Sequence, residues 1–208
     1  MRAGLGAVVL AGTAVLAVYL GAGSPVAATA TTWTVRPGGS ITAAATKATL
    51  TDTTTGVPLR CSPARMSGTL KTGSGLPGTG VGAITTAAFQ CAGPFGWPKL
   101  TTRGLPWRLT LVFYDAGTGV SRGTLGHLKF VLMGPACTAV VNGTNGTAAD
   151  GVVAVRYANA TGKLKILPGG GNLHWWHVSG CAGLVGNGDP ATLSAAFAVS
   201  PPQTITSP

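Results

Sequence analysis

The sequence predicts an all-β fold. It reads as a disulfide-stapled antiparallel β-sandwich or barrel in one secreted domain, residues 31–208, behind an N-terminal signal-peptide helix at 1–30. Three observations carry this. Apolar residues alternate with polar ones in several segments, as half-buried strands require. Gly, Pro, Asn and Asp clusters interrupt the chain at roughly ten-residue intervals, the spacing of sandwiches and barrels rather than β-α-β units. Four cysteines, Cys61, Cys91, Cys137 and Cys181, form an even set, which argues for two disulfides in an exported chain.

The leader comes first. Met1-Arg2 is a short basic start, and Leu5 to Leu20 is a 16-residue run without charge. Pro25 breaks the helix, and Ala28-Thr29-Ala30 has the A-x-A form of a cleavage site, which would leave Thr31 as the mature N-terminus. The run falls short of the ~20 apolar residues of a membrane anchor, so no stable span is expected after cleavage. Trp33 then anchors the start of the mature chain before a break at Pro37-Gly38-Gly39, and "KTGSGLPGTG" (71–80) reads as loop.

The strands follow. In "WRLTLVFY" (107–114), Trp107, Leu109, Leu111 and Phe113 share one face. Leu128, Phe130 and Leu132 lie together opposite His127 and Lys129. Leu164 pairs with Ile166, and Leu193, Ala195, Phe197 and Val199 form the last core face. "VVAVRYANATGKLKIL" is a hairpin looped at Ala158–Gly162. "YDAGTGV" is a turn, and "NGTNGTAADG" (142–151) is loop rich in residues that tolerate positive φ. "SPPQTITSP" closes the chain as an edge strand or a tail.

A weak internal echo divides the domain into two similar halves, around 61–93 and 137–183. "CSPARMSGT" matches "CTAVVNGT", and "CAG" follows in each half. Four cysteines allow three connectivities, and the echo favours Cys61–Cys91 with Cys137–Cys181. No C-x-x-C pair offers a zinc or redox site. Taken as a set, "WTVRPGG", "GLPWRL", "TGVSRGT", "CTAVVNGT", "YANATGKL", "GCAGLVGNGDPATL" and "VSPPQTIT" resemble a group of uncharacterised secreted β-rich proteins of high-GC actinobacteria. The resemblance spans nearly all of the mature chain. It implies secretion and a stapled β domain, and it implies no reaction.

Charge narrows the partners. Residues 31–208 hold 13 Lys and Arg against Asp52, Asp115, Asp150 and Asp189, a net +9, with no glutamate anywhere. Such a surface favours anionic polymers or lipids. The basic residues form no run and interleave with no aromatics, so nucleic acid is not an expected partner.

Chemistry has few carriers. No G-x-S-x-G elbow exists, and paired cysteines leave no thiol nucleophile. Asp115, Asp150 and Asp189 read as turn residues, and Asp52 as exposed on a strand. "HWWH" (174–177) offers His174 and His177 as weak metal candidates. Their odd spacing sets them on opposite faces of a strand, and a third ligand such as His127 or Asp189 would be needed. Trp97, Trp175 and Trp176 are candidates for a binding surface, since exposed aromatics stack on sugars and partners. No cofactor is implied. The leading expectation is a non-enzymatic extracellular or cell-wall-associated module binding an anionic wall polymer or carbohydrate. The alternatives are a small hydrolase using Asp189 with His174 or His177, and a cationic membrane-active protein.

Overall fold

The computed structural model describes residues 31–94, 96 and 98–208. The leader and Trp97 lie outside the described residues. In chain order the strands are β1 (Thr32–Arg36), β2 (Gly39–Ala45), β3 (Ala48–Asp52), β4 (Pro58–Leu70), β5 (Gly73–Pro77), β6 (Gly82–Ala92), β7 (Lys99–Arg103), β8 (Trp107–Asp115), β9 (Val120–Gly134), β10 (Cys137–Asn142), β11 (Gly151–Ala158), β12 (Lys163–Ile166), β13 (His174–Ser179), β14 (Ala191–Ser200) and β15 (Thr204–Thr206). No helix of the described residues is long and apolar enough to cross a membrane.

Eight strands close an antiparallel barrel in the order β9-β8-β6-β4-β2-β14-β12-β11, with β11 returning to β9. The long strands extend beyond this ring. The second half of β9 pairs with β7 and β10, β10 pairs with β13, and the first half of β14 pairs with β3. A bridge between His174 and Pro190 brings β13 back to β14, so a second tier closes above the first.

The barrel is packed with side chains. Trp107 and Phe130 meet edge to face at 5.4 Å, and Phe89 meets Phe130 at 5.7 Å. Below them the small sheet β15-β1-β5 covers the ring's open end. Tyr157 donates its hydroxyl to the Gln203 carbonyl and accepts from the Gln203 amide, while the Gln203 side chain accepts from Gly38 N. Burial pushes the Tyr157 hydroxyl pKa up. The apolar space left there is about 20 Å³, room for roughly one water.

The disulfides are Cys61–Cys91 and Cys137–Cys181, the connectivity the echo favours. Cys61 and Cys91 face each other across β4 and β6. Cys137 begins β10, and Cys181 lies just past β13, its ladder partner. Two disulfides mark a fold made for an oxidising compartment.

Three readings need correction. Residues 73–77 form strand β5 on the edge of β1, although the Gly-rich stretch reads as loop. Phe113 is exposed, because a register shift between Leu111 and Phe113 inserts Val112 as an extra residue and turns Phe113 outward. Asp52 is fully buried at the end of β3, where its Oδ1 accepts the Thr54 and Thr55 amides of the following turn.

Candidate functional site

"HWWH" and "GNGDP" are two sides of one seam. Trp175 N donates to the Asp189 carbonyl, and Gly188 N donates to the Trp175 carbonyl. These bonds close the upper tier, which is why unusual residues gather there. Asp189 folds its carboxylate back over its own turn, where Oδ2 accepts the Gly186 amide at 2.8 Å. Asn187 Oδ1 accepts from His177 N on the adjoining strand.

The two histidines have different tasks. His174 Nδ1 meets the Asn172 carbonyl at 2.9 Å; a carbonyl only accepts, so Nδ1 carries the proton. Its ring lies tilted against Trp176, 6.0 Å between centroids. His177 sits at φ 50° where β13 shifts register against β10, an extra residue in the strand. Its ring packs over Gly146: a Cβ there would fall 2.6 Å from His177 Nε2 and 2.7 Å from Trp176 Cβ. His127 is likewise a bulge residue, at φ 67°. It switches the inward face of β9 from Ser121, Gly123 and Leu125 to Leu128, Phe130 and Leu132.

The sequence-derived candidates therefore do not converge. Among the described residues, no hydrogen bond joins Asp189 to His174 or His177, and no group of three His, Cys or acidic residues could hold a metal. Trp175 is buried in the core, a correction to its place among candidate binding aromatics. Trp176 remains half-buried on the outer face, with its indole N–H donated to the Gly143 carbonyl. The loop behind it, 142–151, is fixed by buried Asn142, which donates to the Ala148 carbonyl and accepts from Gly146 N.

One cleft opens beside this seam. After the Ile166–Ala195 pair, residues 167–173 part from β14 while staying bonded to β11 through Leu167 N to the Ala154 carbonyl and Asn172 N to the Val152 carbonyl. The gap is about 280 Å³ and is edged by Thr53, Thr192, His174 and the glycines 169–171. His174 is the one histidine on its edge. No carboxylate lines it.

The four acids share one fate. Asp52 caps the turn after β3. Asp115 Oδ1 accepts the Gly117 and Thr118 amides. Asp150 accepts the Gly143 and Thr144 amides and the Thr144 hydroxyl. Asp189 holds Gly186. The Thr118 hydroxyl and these amides hold the Asp115 carboxyl below the usual range, with a weaker pull from Arg122. For Asp150, desolvation raises the pKa, and the bonds from Thr144 and Gly143 outweigh it. Carboxylates spent on turns leave the 13 cations largely uncompensated, and several of those stand on the outer faces of β9, β11 and β12.

The fold and surface thus define a class: a filled, closed, disulfide-stapled β-barrel with a cationic wall. Comparison with known protein families, curated proteins and solved structures finds no match.

Proposed function

We propose that the chain is an extracellular, cell-wall-associated binding module that holds an anionic polymer by charge, without covalent chemistry. The observation that supports this best is the commitment of all four carboxylates to turns. No acid is left poised as a partner for a histidine. The cations of the wall are left for an external anion, whose approach they would steer. The leader at 1–30 supports export, with Thr31 as the expected first residue of the secreted form. The resemblance to secreted actinobacterial proteins points the same way.

Retention on purified cell-wall material, followed by stepped salt washes, tests the reading. The protein should stay bound at low salt and release as salt screens the charges. Retention no greater than that of an unrelated protein of equal net charge would overturn it.

A further inference from the structure

We propose that the ligand track is a cationic row crossing five adjacent strands, and that it takes a linear phosphodiester-linked polyol chain. The inference rests on the binding-module reading and adds its place and its ligand class. Register builds the row. Arg122 on β9 lies directly opposite Arg156 on β11, and Arg156 directly opposite Lys165 on β12. Lys165 faces Ala196 on β14, beyond which Lys47 precedes Ala48 at the start of β3. Arg122, Arg156 and Lys165 point outward, since their chain neighbours in β9, β11 and β12 are buried, and Lys47 is exposed in the turn before β3. Strands lie ~4.8 Å apart, so the row runs about 19 Å along the wall.

A trough follows from the same register. Lys47, Lys165 and Ala196 border a shallow groove of about 410 Å³. One row along, Ala198 and Ala44 separate Lys163 from Arg65. Small uncharged residues therefore separate the cations in both rows, and Thr49, Ser194 and Pro168 also line the groove. Phe113 lies opposite Arg122 at the β9 end of the row, with the Arg122 guanidinium 5.7 Å from its ring centroid.

This arrangement selects among anions. Charges strung over five strands suit a chain rather than a single small ion, which would need converging donors. Phe113, the exposed aromatic at the end of the row, carries the Arg122 guanidinium against its ring, and no aromatic lines the groove, which disfavours stacking by single-stranded nucleic acid. Arg122 and Arg156 present guanidinium forks that match phosphate oxygens. Arg156 faces a like charge on each side, Arg122 and Lys165, an arrangement that costs stability in the free protein although Asp115 offsets part of the Arg122 charge.

The test is binding to a lipid-free poly(glycerol phosphate) chain at about 50 mM salt. It compares the protein with two fourfold variants of equal charge. One is K47Q/R122Q/R156Q/K165Q; the other, K71Q/K99Q/R103Q/R108Q, removes exposed cations elsewhere. The row variant should lose about tenfold or more in affinity, and the control under about threefold. Equal weakening of both would overturn the row and leave the binding-module reading standing. No binding by the unaltered protein would sink that reading, and the track with it. Tighter row-dependent binding to oligothymidylate or to phosphatidylglycerol vesicles would overturn the ligand class.

Discussion

Replacing Arg156 with Gln should stabilise the protein. Arg156 sits between Arg122 and Lys165, directly opposite each. Like charges so placed are destabilising by about 0.2–1 kcal/mol per pair, which gives about 0.4–2 kcal/mol for the two pairs. Coulomb's law gives a similar size, about 0.8 kcal/mol for unit charges ~5 Å apart in water. For a domain of this size that raises Tm by about 1–8 °C. The assay is thermal unfolding by calorimetry at low salt and again at about 1 M salt, where the screening length falls to ~3 Å and the gain should vanish. R108Q is the control, because Arg108 faces only Gly126 and Ala83 and should change little. An R156Q protein no more stable than the parent at low salt would refute the reasoning. So would a gain that survives high salt.

Other consequences follow from single contacts. Removing the Cys61–Cys91 or Cys137–Cys181 bridge frees loops of 30 and 44 residues. The chain-entropy cost is about 3.6 and about 4.0 kcal/mol, readable as a drop in the denaturation midpoint. Asn142→Ala leaves the Ala148 carbonyl and the Gly146 amide without their partner. It should cost about 2–4 kcal/mol and speed hydrogen exchange in residues 143–150. Tyr157→Phe removes both bonds to the Gln203 backbone, costing about 1–3 kcal/mol and opening the C-terminal segment to carboxypeptidase. Asp150 has a folded pKa below its unfolded value near 3.9. Its contribution is therefore present above that pH and lost as pH falls through the folded value. The loop at 142–151 should loosen below about pH 4 in the parent, and Asp150→Asn should abolish that acid transition.

The strand pattern was plain in the sequence where alternation ran unbroken. Leu164 and Ile166, or Leu193, Phe197 and Val199, needed only the period of two. It failed where one extra residue shifts the period. Val112, His127 and His177 are such residues, and nothing in a histidine or valine announces a bulge. The buried Asp52 was missed because an acid on an alternating strand looks solvent-facing, while its burial depends on the turn amides it receives. The cationic row is half legible. The hairpin was legible, but the loop expected at Ala158–Gly162 is one residue too long; Ala158 pairs with Lys163, and that shift sets Arg156 opposite Lys165. Arg122 joins them only through the β9–β11 pairing, which closes the barrel between distant segments. "HWWH" and "GNGDP" looked like a site because rare residues gather there. They gather because both segments form one seam.

The measurement closest to the central claim is the salt dependence of binding to poly(glycerol phosphate). Each phosphate neutralised on a single chain contributes about −0.7 to the slope of log affinity against log salt. Four row cations in contact predict that K47Q/R122Q/R156Q/K165Q flattens the slope by about 3, while K71Q/K99Q/R103Q/R108Q leaves it nearly unchanged. Identical slopes for the parent and the row variant would contradict a ligand track on this wall of the barrel.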